Sequence, residues 1–167
     1  PFFNFYASLS SYVAAFWRLL GLNVPQAIAA ATVLAVWASG WGTYLLGKAI
    51  YGPRGGLIAA TAYMYAPYQF YDSAYRGNLA ETCALALLPW VLWTGRRALL
   101  GRSFSDSPAR RWAAIVPLSI TYAALIYTHN VYALISSPVL GLYLLVLWWI
   151  EGRSWRFNVL TLVRLAA

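Results

Sequence analysis

Apolar residues in this chain run in blocks about one bilayer thick, separated by short turns that hold most of the charges. A hydrocarbon core of about 30 Å takes about 20 helical residues, which supplies a ruler for these blocks. On that ruler the pattern predicts transmembrane helices at 25–48, 56–71, 79–99, 112–129 and 131–150. Pro25 suits a first helical turn, where its missing N–H is not needed. Gly40 and Gly42 favour close approach of a neighbouring helix. The run Tyr51-Gly52-Pro53-Arg54-Gly55-Gly56 reads as a tight turn. The second span is short, with Pro67 near its end, and Pro89 sits midway along the third as a kink. A very tight reversal at His129-Asn130 joins the fourth span to the fifth.

The remaining segments are less regular. Residues 1–23 hold Phe2, Phe3, Phe5, Tyr6, Tyr12, Phe16 and Trp17 in a stretch of about 15 usable helical residues, short for a crossing. Such a segment fits an interfacial or re-entrant helix with Arg18 snorkelling toward headgroups, a tilted span being the alternative. Residues 157–167 open a further apolar segment. The first residue is Pro, no basic region precedes an apolar core, and the chain stops inside that last segment, so we expect a piece of a longer protein whose other spans pack against this one. The fold class expected is all-α: a polytopic transmembrane helical bundle of about five spans plus an N-terminal interfacial or re-entrant helix, one incomplete membrane-embedded domain over 1–167.

Composition sharpens this picture. Of 167 residues 62% are hydrophobic and only 10% charged, beyond the roughly half-apolar make-up of a soluble domain. The formal charge of +8 does not point to nucleic acid, because the arginines cluster in short loops between apolar segments. By this topology about nine Lys and Arg lie on one side and only Arg76 clearly on the other, so the basic loops are expected in the cytoplasm and the lipid bilayer is the expected partner. A lone Cys83 allows no internal disulfide and reads as a small buried hydrophobe.

Candidate chemistry sits between the second and third spans and at the fourth-to-fifth reversal. Ionisable groups beside hydrocarbon are costly to keep there and mark function by default. Asp72 and Arg76 are four positions apart, so on a continuing helix they share a face and form either a local ion pair or part of a site. Glu81 opens a span, where its charge either stabilises the positive end of the helix or serves a ligand. His129 and Asn130 offer polar contacts to phosphate or sugar hydroxyls, although a helix end explains a cationic imidazole without chemistry. One His and one Cys cannot build a zinc cage of three or four protein ligands, whereas a divalent cation such as Mg2+ or Mn2+ on Asp72 or Glu81 with phosphate oxygens remains compatible. No glycine-rich phosphate loop or serine nucleophile elbow is present.

The run from Ala62 through Ala66-Pro67-Tyr68, Asp72, Arg76-Gly77 and Ala80-Glu81 to Leu88-Pro89, with the later Thr128-His129-Asn130, resembles the signature of 6-pyruvoyl-tetrahydropterin synthase-related bacterial membrane proteins. That family name implies pterin chemistry, but the soluble pterin synthase uses a multi-histidine zinc site for which this sequence lacks the ligands. More loosely, the architecture is similar to GT-C polytopic glycosyltransferases, which take sugars from polyprenyl-phosphate carriers on the outer face. The resemblance implies a bacterial cytoplasmic-membrane protein of the cell envelope in which Asp72, Arg76 and Glu81 form a second outer-loop site touching carrier phosphate or acceptor, the class's catalytic acid falling in a loop before residue 1. Within this chain Asp72 and Glu81 are the candidate catalytic residues and Arg76, Tyr75, His129 and Asn130 the candidate substrate contacts. Two rivals share the same polar cluster: a transporter or flippase of a lipid-linked or small anionic substrate, with Pro67 and Pro89 marking broken helices, and a non-catalytic subunit of a membrane complex.

Overall fold

The computed structural model describes residues 8–100 and 108–151, and every regular element among them is helical. The order is α1 (Leu9–Leu19), α2 (Val24–Met64), α3 (Pro67–Tyr71), a π-helical turn (Asp72–Arg76), α4 (Leu79–Leu100), α5 (Pro108–Thr128) and α6 (Asn130–Glu151). The polar loop at 101–107, residues 1–7 of the N-terminal segment and the expected segment at 157–167 lie outside the described residues.

Helix α2 starts where the chain offers a cap. Asn23 Oδ1 accepts from the Gln26 amide at 3.0 Å while Gln26 Oε1 accepts from the Asn23 amide at 3.0 Å, a reciprocal capping box with Pro25 in the first turn. The helix then breaks internally at Gly52, whose φ of 78° is open to glycine and strained for other residues. Pro53 opens the second arm with a preset φ. Its two arms, 24–51 and 53–64, fold back on each other along a glycine seam. A β-carbon at Gly47 would sit 3.0 Å from the Gly56 Cα, one at Gly56 would sit 2.8 Å from the Tyr44 carbonyl oxygen, and one at Gly40 would overlap Met64. The expected segments at 25–48 and 56–71 correspond to these two arms joined at Gly52, the second arm ending at Met64 with the short α3 after it, because the chain leaves helical form at Tyr65 and Ala66 before Pro67 restarts it.

Helix α4 runs centrally, parallel to the first arm of α2 and to α6 and antiparallel to α5. Trp90 Nε1 donates to the Ala38 carbonyl at 2.9 Å, with its ring lying against Gly42, and the Thr94 and Thr121 hydroxyls meet at 3.0 Å. Ala84, Val91, Leu125 and Ala133 form the buried centre between α4, α5 and α6. Pro89 stays inside α4 as one continuous helix. Its missing N–H frees the Leu85 carbonyl, which instead accepts from the Tyr63 hydroxyl at 2.8 Å. The proline therefore ties α4 to the second arm of α2.

Among the described residues two helices are long and apolar enough to cross a membrane, Val24–Met64 and Asn130–Ile150, with mean hydropathy of 1.3 and 2.0. Helix α5 contributes a shorter apolar stretch, Trp112–Thr128. Helix α1, at 11 residues, is about 16 Å long and packs chiefly on α2.

Candidate functional site

At one end of the bundle, α3, the π turn and the first residues of α4 and α6 converge on Glu81. The backbone explains the convergence. Five residues wound with an extra residue in the turn carry the chain from α3 to Gly77, whose φ of 61° reverses it into α4. Asn78 then caps α4, its Oδ1 accepting from the Glu81 amide at 3.4 Å and its carbonyl accepting the Thr82 hydroxyl at 3.0 Å. Single π turns recur at functional sites because they re-aim side chains that a regular helix would disperse.

The Glu81 carboxylate is 6% exposed and has four donors. Oε2 accepts from Arg76 Nη1 at 3.1 Å and Asn78 Nδ2 at 2.9 Å. Oε1 accepts from the Tyr132 hydroxyl at 2.7 Å and from the Tyr68 hydroxyl. Asp72 is fully buried. Its Oδ2 accepts from the Thr82 hydroxyl at 3.2 Å, and its Oδ1 lies 3.3 Å from the same Arg76 Nη1 that serves Glu81. Two carboxylates thus share one guanidinium nitrogen. Beneath them, Gln69 Nε2 donates to Ser39 Oγ at 2.8 Å, extending the polar interior to α2.

Charge follows from this geometry. Burial, and then the negative charge of Glu81, push the Asp72 carboxyl above the ordinary carboxylate range, against the opposing pull of the Thr82 hydroxyl and Arg76. Glu81 and then Asp72 favour the charged form of Arg76, which is 44% exposed and so keeps a face toward solvent.

The other expected residues are placed differently. His129 stands between α5 and α6, and its Nδ1 accepts from the Tyr132 amide N–H at 3.4 Å. Its ring meets the Tyr132 ring edge-on at 5.0 Å, so it touches the cluster through Tyr132. The Asn130 side chain is exposed and accepts from the adjacent Val131 amide at 2.9 Å. Tyr75 is 77% exposed, stacks on Tyr71 at 5.9 Å and meets Phe70 edge-on at 6.3 Å. Tyr68 enters the sequence pattern only through the Ala66-Pro67-Tyr68 motif, and Thr82 and Tyr132 have no local signal that marks them as partners of the acids. Only Asn78, three residues before Glu81, carries a local signal as a cap-box partner.

Among the described residues no group of three or more His, Cys, Asp and Glu is placed to hold a metal ion. Arg76 already occupies the position between the two carboxylates.

The family described as 6-pyruvoyl-tetrahydropterin synthase related domain, a membrane protein, matches residues 3–167. The chain belongs to that family and is a membrane protein. No curated protein and no solved structure matches it.

Proposed function

We propose that this member of the 6-pyruvoyl-tetrahydropterin synthase-related membrane family is a GT-C-like glycosyltransferase, moving a sugar from a polyprenyl-phosphate carrier to an acceptor hydroxyl at the extracytoplasmic face of a bacterial cytoplasmic membrane. One observation carries the reading. Glu81 is fixed through Oε2 by Arg76 and Asn78, while its Oε1 is met by two hydroxyl donors, one of them on the half-exposed Tyr68. An acceptor hydroxyl replacing the Tyr68 phenol would reach the same oxygen.

In this reading Glu81 takes the hydroxyl proton as the acceptor oxygen bonds to the anomeric carbon. The bond from that carbon to the phosphate oxygen breaks, and the departing phosphate keeps the electron pair. Arg76, through its exposed face, offsets the charge that develops on phosphate. Asp72 has no exposed surface and acts on Arg76 as a positioning residue. The positive charge of Arg76 lets this scheme run without a divalent cation. His129 Nε2 and Asn130 line the approach. The chain crosses the bilayer five times, at 25–48, 56–71, 79–99, 112–129 and 131–150, with Lys48, Arg54, Arg96 and Arg97 on the cytoplasmic side.

The test uses the full-length protein in membranes. Glu81→Gln, Arg76→Ala and Asp72→Asn are checked for folding and assayed for sugar transfer from a labelled polyprenyl-phosphate donor. Loss of transfer in folded Glu81→Gln supports the reading, and unchanged transfer rejects it. The break at Tyr65-Ala66 followed by a π turn favours a second reading, a transporter of a lipid-linked or small anionic substrate. Transbilayer movement of the same labelled lipid without transfer would select it.

A further inference from the structure

The interior of the cluster holds a charge problem that sugar transfer does not address. Asp72 and Glu81 together face one cation, Arg76, and both lean on its single Nη1. If both acids were ionised, one negative charge would be left over in a place with no solvent contact for Asp72. Such a surplus charge is expensive in a low-dielectric interior, and two carboxyls sharing a site resolve it by keeping one proton between them.

The hydrogen bonds say where the proton belongs. Glu81 accepts from four donors, an arrangement that favours its carboxylate form. Asp72 Oδ1 is buried and has no hydrogen-bond partner, since the Arg76 contact at 3.3 Å is an ion pair without hydrogen-bond geometry. That oxygen is where a proton can be carried at least loss. The charged and hydrogen-bonding groups facing Asp72 are Arg76 from its own turn and Glu81 and Thr82 from α4, while Tyr68 of α3 and Tyr132 of α6 reach it only through Glu81. The guanidinium fills the position between the acids, which suits a proton and not a metal ion.

We propose that Asp72 is an exchangeable proton-binding site: at neutral pH it is a neutral acid beside ionised Glu81 and Arg76, and the cluster as a whole carries no net charge. Losing the proton leaves the cluster at a net charge of −1. An anion that draws Arg76 outward removes the cation both acids share, so Asp72 would then hold its proton to still higher pH. This inference concerns protonation alone and does not depend on sugar transfer.

The test is infrared difference spectroscopy of the full chain in lipid nanodiscs, titrated from mildly acidic to alkaline pH. Asp106 and Glu151 are the other two carboxylic side chains among these 167 residues, and Asp106→Asn and Glu151→Gln set them apart from the cluster. We expect the carbonyl band of a neutral carboxylic acid at neutral pH, disappearing only on alkalinisation, and absent in Asp72→Asn. Carbon-13 labelling of aspartate carboxyls must shift that band and Asp106→Asn must leave it in place, which assigns it to Asp72 should Asp72→Asn fail to fold. Absence of a neutral-acid band at neutral pH overturns the proposal. So does a band that moves only with labelled glutamate, or one abolished by sodium, which would make a metal cation the occupant.

Discussion

The glycine seam of α2 and the polar cluster around Glu81 hold helices together by opposite means. The seam joins two arms separated by one tight turn, uses Gly40, Gly47 and Gly56, and works by letting backbones touch. The cluster gathers residues from four elements, spanning Tyr68 to Tyr132, and works by hydrogen bonds to buried charge. Lipid tails are as apolar as leucine, so hydrophobicity gives little reason for one helix to prefer another over lipid. Close packing and polar satisfaction remain, and this chain uses each in a different place. The seam is local in sequence and cheap to specify, whereas the cluster is distributed and fixes the mutual placement of α3, α4 and α6.

That contrast can be broken most severely at Glu81. Glu81→Ala removes the acceptor shared by Tyr68, Tyr132, Arg76 and Asn78, and the loss is expected to reach about 3 kcal/mol, as for other broken buried pairs. Unfolding of the purified protein in mixed micelles measures it, and a loss below about 1 kcal/mol would mean that the cluster does not organise the fold. Gly56→Leu attacks the seam instead. Its β-carbon meets backbone atoms of Tyr44 and Lys48 at 2.8 and 2.9 Å, which cannot swing aside, so about 1–3 kcal/mol of overpacking is expected. A crosslink between cysteines placed at 40 and 64 should form in the parent and fail in that variant.

Response to pH sharpens the comparison by its sign. Because Asp72 binds its proton more tightly folded than unfolded, the folded state holds more protons above the ordinary carboxylate range. Stability from this group is therefore present at acidic pH and declines as pH rises through the raised value, while the seam contacts of Gly40, Gly47 and Gly56 involve no carboxyl group. Thermal midpoints across pH should fall on alkalinisation in the parent and flatten in Asp72→Asn. Tyr63→Phe probes a contact between the two regions: it leaves the Leu85 carbonyl without its donor and should cost about 0.6–1.7 kcal/mol, read by the same unfolding assay. The smallest effect belongs to Gly141→Ala in α6. A β-carbon there meets nothing within 4 Å, so the change should be neutral or stabilise by about 0.5–1 kcal/mol through helix propensity.

Local sequence was sufficient for the helical class, for the break at Gly52-Pro53 and for the pairing of Asp72 with Arg76. Each rests on short-range rules: apolar block length, a glycine that alone tolerates positive φ before a proline, and charges one helical turn apart. The same rules marked Glu81 as unusual without saying what it touches. Only the tertiary structure decided that, because Tyr132 lies 51 positions away and arrives when α6 runs parallel to α4. It likewise made Pro89 a tie between helices, since which donor meets the freed Leu85 carbonyl depends on the neighbouring helix. Tyr75, adjacent to Arg76 in the π turn, stands exposed and stacks on Tyr71, a placement its position next to Arg76 does not dictate. Period and spacing determine which face a residue occupies on its own helix, and only the packing of helices decides which faces meet.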